Sequence, residues 1–156
     1  MATPDFIVEL RKHVGHAPLW LIGGTVLCLD GDRVLLEKRA DDGRWTAISG
    51  IVEPGEHPIA CVVREAREEV GVEIEVGRML WCVASGLKTY LNGDQVRYLD
   101  HGYLGRVVGG ELRPDGDETT EVAWFPVDDL PTPRHVRLER MLEIALGEPG
   151  DVVACW

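Results

Sequence analysis

Long apolar runs are missing from this 156-residue chain. None reaches the roughly 18–20 residues that a membrane-spanning helix needs, so a bilayer is not an expected partner. Paired cysteines are missing as well. Cys28, Cys61, Cys82 and Cys155 are scattered, with neither a C-x-x-C pair nor metal-ligand spacing; they read as reduced thiols of a cytoplasmic protein. The opening residues, MATPDFIVELRKH, are amphipathic and too acidic for a signal peptide. Basic residues are scarce: 16 Lys and Arg stand against 27 Asp and Glu, a net charge of −11. Such a surface repels a nucleic acid duplex and anionic lipid. It repels a free nucleotide too, so a polyphosphate can approach these carboxylates only with cations between. Repeats, low-complexity tracts and linkers are absent. What remains, 45% apolar and 28% charged, is the composition of one globular domain long enough to bury a core.

Residues 50–72, GIVEPGEHPIACVVREAREEVGV, are the most informative stretch. Pro58 stands where the first helical residue tolerates a missing N–H. Gly71 stands where a left-handed residue closes a helix. Ile59, Val62, Val63, Ala66 and Val70 make an apolar stripe between them. The spacing predicts a helix over 58–70 with its acids turned outward. Glu65, Glu68 and Glu69 then share one face, at i, i+3 and i+4. Each pair of charges about 5 Å apart costs about 3 kcal/mol at an effective dielectric near 20. A hard divalent cation that prefers oxygen, Mg2+ or Mn2+, is the natural counter-charge. Glu65 and Glu69 are the principal candidate ligands. Taken alone, REAREE reads as a solvated face in which Arg64 and Arg67 pair with neighbouring glutamates.

More than that run is present. The pattern G-x5-E-x7-R-E-U-x-E-E-x-G-U, with U aliphatic, is filled by Gly50, Glu56, Arg64, Glu65, Ala66, Glu68, Glu69, Gly71 and Val72. In this the chain resembles the Nudix hydrolases. Just upstream, where similar proteins read W-x-x-P-G-G, it has Trp45 followed by Ile48, Ser49 and Gly50, so the proline and first glycine are replaced. The resemblance implies an α/β fold, a three-layer α/β/α sandwich with a mixed sheet, over residues 18–147. Residues 1–17 form a helical extension, which in related proteins tends to support a homodimer, and residues 148–156 a tail. It implies cation-dependent hydrolysis of a nucleoside diphosphate linked to another group, a nucleoside triphosphate first. The alternatives are ADP-ribose, a nucleotide sugar or a dinucleoside polyphosphate, or a module that senses a nucleotide without cutting it.

Roles follow on that reading. Glu68 is a further ligand or the base that takes a proton from water, and the Gly50 carbonyl an extra oxygen ligand. Arg64 orients the carboxylates through a bidentate guanidinium, with Glu56 and Glu53 behind it. A distal acid is expected from GDETTEVAWF, as Glu118 or Glu121; Glu121 lies three residues before Trp124 and so on the opposite face of a strand from it. Arg39 is placed near the phosphates. Trp20, Trp81 and Tyr90 are candidates to stack on a base, although a tryptophan is more often core.

The remaining chain reads as alternating strands and two more helices. Residues 3–13 begin a short amphipathic helix at Thr3-Pro4-Asp5. Residues 20–29 and 33–38 form a hairpin about Asp30-Gly31-Asp32. Strands follow over 72–84, over 95–108 after the Asn92-Gly93 turn, and over 121–127. Gly109-Gly110 is expected to break its strand, Thr132-Pro133 to start the last helix with Val136 on its apolar face, and Gly147 to end it. Val152, Val153 and Trp156 are candidates to dock the tail.

Overall fold

A computed structural model of the chain describes residues 3–155. The helix α1 (Asp5–Val14) comes first, then the strands β1 (Leu19–Asp30), β2 (Arg33–Arg39), β3 (Trp45–Thr46) and β4 (Ile48–Ile51). The acidic segment follows as α2 (Pro58–Glu65), with a π-helical turn at Ala66–Val70. After it come β5 (Val72–Ala84), β6 (Lys88–Thr89), β7 (Gln95–Gly110), β8 (Thr119–Pro126) and α3 (Leu138–Leu146).

The strand order β3-β2-β1-β7-β5 makes a mixed sheet. β1 runs parallel to β7 and antiparallel to β2 and β4, while β8 extends the sheet beside β2. Two apolar layers sandwich it, because successive strand residues point to opposite faces. On one face Val26, Cys28 and Leu35 meet Val62, Ala66 and Val70 of the acidic segment. On the other, Leu27, Val34, Leu36 and Trp81 meet Leu138, Met141, Leu142 and Ala145 of α3. The fold is therefore the expected α/β class. A third cluster, Ile7 with Leu21, Ile51 and Val96, ties α1 to the sheet.

Three expectations are corrected. The helix over 58–70 is not α-helical throughout: its last turn widens to a π turn and closes at Gly71, whose φ is +80°. The carbonyls of Glu69, Val70 and Gly71 are then taken by the backbone N–H groups of Asp115, Arg113 and Glu111, which pins a later loop against the acids. The last helix does not start at Pro133. Trp45 N donates to the Pro133 carbonyl and His135 N to that of Trp45, so the chain runs beside β3 and turns helical only at Leu138; Val136 is left exposed. The glycine pair does not break its strand, since Gly109 and Gly110 still pair with Glu73 and Val72.

The tail docks through Val153, whose N donates to the Leu80 carbonyl and whose carbonyl accepts from Cys82 N, each at 3.0 Å. Val152 is exposed, and Trp156 lies outside the described residues.

Candidate active site

The acidic segment packs across β1 and β4, and the loop after β4 folds back along it. Arg64 joins the two. Its Nε donates to Glu56 Oε1 at 2.9 Å and its Nη2 to Glu56 Oε2 at 3.0 Å. Its Nη1 reaches Glu65 Oε1 at 2.8 Å and Glu68 Oε2 at 3.3 Å. One guanidinium thus binds three carboxylates, a use that suits its planar fork. Glu56 is held below the usual carboxylate range by that hydrogen bond, and its Oε2 also accepts from Glu53 N at 3.0 Å. Arg67, by contrast, turns outward to Glu73.

Glu65 lies directly on Gly50. A Cβ placed on that glycine would sit 2.0 Å from Glu65 Oε1, so no other residue permits this approach. Glu65 and Glu69 are both buried, at 8% and 3% exposure, while Glu68 stays in solvent. Burial raises the Glu65 carboxyl to about 7 against the pull of Arg64. Burial raises Glu69 as well, helped by the charge of Glu37 and by a contact with Glu118.

Glu37 joins this group although it lies outside the acidic helix. It sits on β2, fully buried, and faces Glu69; Thr119 Oγ1 donates to its Oε2 at 3.2 Å. Burial raises it too, to about 8. Glu37 Oε1 and Glu69 Oε2 have no hydrogen-bond partner among the described residues.

These donors are all hard oxygens, the kind that Mg2+ and Mn2+ take, and the orphaned oxygen of Glu69 is the kind a cation satisfies. In kind the residues fit such an ion. As they stand, no three acidic, His or Cys side chains among the described residues converge closely enough to hold one. Arg64 instead binds Glu65 and Glu68, and Glu68 is exposed.

Two hollows meet at Ile51. One, of about 520 Å3, is acidic: Glu53, Arg64, Glu65, Glu68 and Glu118 line it, with Thr3 to Phe6 at the start of α1 as its far wall. The other, of about 360 Å3, is ringed by Arg39, Lys88, His135 and Arg137 and by the two tyrosines Tyr90 and Tyr98. The tyrosine hydroxyls are 2.9 Å apart, and Lys88 lies 4.4 Å from the centroid of the Tyr90 ring. Arg39 is fixed by two hydrogen bonds to Asp41, at 2.8 and 2.9 Å. Burial lowers His135 to about 4, so it is neutral there.

The candidates therefore separate. Glu53, Glu56, Arg64, Glu65, Glu68, Glu69 and Gly50 come together, and Arg39 and Tyr90 line the adjoining cavity. Three others do not belong. Trp81 is fully buried, with its Nε1 donating to Asp100 Oδ2 at 2.9 Å, and has no face to offer a base. Trp20 is 58% exposed and points away from the cavity, on the α2 face of β1. Glu121 pairs with Lys38 at 2.7 Å on the far face of the sheet; Glu118 is the acid that reaches Glu69.

Sequence reasoning missed Glu37, Lys88, Tyr98, His135 and Arg137. The one acid of the strand RVLLEKR, directly after Val-Leu-Leu, was a signal for Glu37. None existed for His135 and Arg137, which the expected helix start placed in the wrong element.

A family model described as the NUDIX domain matches residues 22–143. The chain is 37% identical over 112 residues to a Pseudomonas aeruginosa protein named NAD-capped RNA hydrolase NudC, covering 68% of this chain and 36% of that one. It is 34% identical over 129 residues to the protein of that name from Pseudomonas putida, covering 79% and 41%. The chain thus spans about two-fifths of the length of these relatives. A UDP-X diphosphatase structure matches with a TM-score of 0.69 at 17% identity, covering 97% of this chain and 74% of that one. A MutT NUDIX hydrolase from Burkholderia pseudomallei matches at 0.61 and 27% identity, covering 80% and 97%.

Proposed function

The chain belongs to the Nudix hydrolase family, and on that premise we propose that it hydrolyses the pyrophosphate bond of a nucleoside diphosphate linked to another group, with Mg2+ or Mn2+. The observation that carries the reading is Glu65 seated on Gly50 beside buried Glu69, next to a cavity whose rim is basic on a protein of net charge −11.

On this reading Glu65, Glu69 and the Gly50 carbonyl hold the cation, and Glu68 swings in to join them. A divalent ion there supplies neutralisation of phosphoryl oxygens and a more acidic water. Arg64 fixes the carboxylates in place, with Glu56 behind it. Glu118, at the end of the loop pinned to the acidic segment, takes the proton from the attacking water. Arg39 and Lys88 offset the remaining phosphate charge, and Tyr90 offers a ring face to the base.

A nucleoside triphosphate is the first substrate class. A dinucleotide is the second, favoured by the relatives named as NAD-capped RNA hydrolases. A homodimer is part of the same reading. The test is a panel of nucleoside triphosphates, NAD, NAD-capped RNA, ADP-ribose, nucleotide sugars and dinucleoside polyphosphates, each with Mg2+ and with EDTA. Turnover of at least one, lost in EDTA and in Glu69→Gln, is expected. Inert protein across the panel, or full turnover in EDTA, sinks the proposal.

A further inference from the structure

Leu35 and Glu37 lie on the face of β2 that is turned to the acidic segment. Leu35 does what this layer asks of it and packs with Val62, Ala66 and Val70. Glu37 lies one step further along the same face, so its carboxyl meets the segment at Glu69. Nothing about packing calls for an acid there. An apolar residue would continue the layer, and a buried carboxyl is costly unless a counter-charge or a full set of hydrogen bonds compensates it.

Neither compensation is complete. Thr119 Oγ1 serves one oxygen at 3.2 Å. The other, Oε1, has no partner among the described residues, and the same holds for Oε2 of Glu69. The nearest cationic side chain, Arg39, spends its guanidinium on Asp41. Two buried carboxyls thus face each other in hydrogen-bond contact, with no Lys or Arg hydrogen-bonded to either among the described residues. With both ionised the pair is unfavourable by itself, and positive charge lodged against Glu69 compensates it.

We propose that Glu37 is a positioning residue for the cation: from the sheet side it fixes the carboxyl of Glu69 where a divalent ion would be held. The proposal rests on the reading that Glu65 and Glu69 hold that ion. Glu37 acts through Glu69 without touching substrate. Thr119, at the first residue of β8, fixes Glu37 in turn. The acidic helix is thus one wall of the cation site, and β2 with β8 supplies the other.

The test is Mn2+ binding to the full chain, read by the loss of free-ion signal in electron paramagnetic resonance, with thermal melting of the metal-free protein alongside. Glu37→Gln keeps the volume and replaces one carboxyl oxygen with an amide group. It is expected to weaken Mn2+ binding by about 10–100-fold while the metal-free midpoint stays level or rises. A purely structural Glu37 predicts the reverse, a lower midpoint and unchanged affinity, and that result overturns the proposal. Thr119→Val guards against misfolding of the first variant: it leaves the Glu37 carboxyl in place but loose, and a smaller loss of Mn2+ affinity is expected. Affinity within twofold of wild type in every variant that folds overturns it as well. Wild-type protein that binds no Mn2+ overturns the reading of Glu65 and Glu69 too, so the two failures are told apart by the wild-type titration.

Discussion

Gly50 and Glu56 act on the reacting carboxylates without sharing their charge. Gly50→Ala puts a methyl where Glu65 Oε1 now lies, so Glu65 has to move. A misplacement on the order of 1 Å can cost about 10²-fold in rate, and kcat is expected to fall by that order while circular dichroism shows an intact fold. Glu56→Gln keeps a side chain on Arg64 but weakens the charge-assisted pair at 2.9 and 3.0 Å. A loss of about 10–100-fold in Mg2+ affinity or turnover is expected, and a Mg2+ titration of activity separates the two. At this scale the helical acids were legible because spacing alone puts Glu65, Glu68 and Glu69 on one face. Glu118 and Glu121 were not separable. Both sit in one polar stretch, and only the pairing of β8 with β2 turns Glu121 to Lys38 and leaves Glu118 at Glu69.

The acidic segment holds its shape through its last turn. With φ at +80°, Gly71 also lets the Glu111 carbonyl come within 2.6 Å of where a Cβ would be. Gly71→Ala is expected to destabilise by about 1–2 kcal/mol for the left-handed backbone, with a further cost for the displaced loop. Because residues 111–115 are fastened to this turn and lead to Glu118, turnover should fall along with the midpoint in urea. A variant with wild-type activity would mean that the loop does not depend on its anchor. The hairpin at Asp30–Asp32, the helix at Asp5 and the start of the acidic helix at Pro58 were all readable, since each has local punctuation. The π turn and the delayed start of α3 were not. Both are decided by backbone hydrogen bonds to distant partners, Asp115 in one case and Trp45 in the other.

For the molecule as a whole, the proposed cation, bound among buried and half-buried acids, is expected to act as a stabilising ligand. At 100 times its Kd it should add about 2.7 kcal/mol, or roughly 5–10 °C in Tm for a chain of this size. A melt that does not move between EDTA and saturating Mg2+ would contradict that. Acid should act in the opposite sense through His135. Its folded-state value is lowered from 6.5 to about 4 by burial, so its contribution to stability is complete above 6.5 and is lost as pH falls through about 4. The urea midpoint of wild type should therefore drop more steeply over that interval than that of His135→Asn. The α/β architecture was legible at this scale from alternating strands and amphipathic helices, whereas the cavity rim that brings basic Arg39, Lys88 and Arg137 together with neutral His135 exists only after folding. One practical matter follows from where α1 begins. Thr3 to Phe6 line the acidic hollow, so an affinity handle fused ahead of them would crowd the carboxylates proposed to hold the cation. Purification tags and surface tethers belong at the opposite terminus.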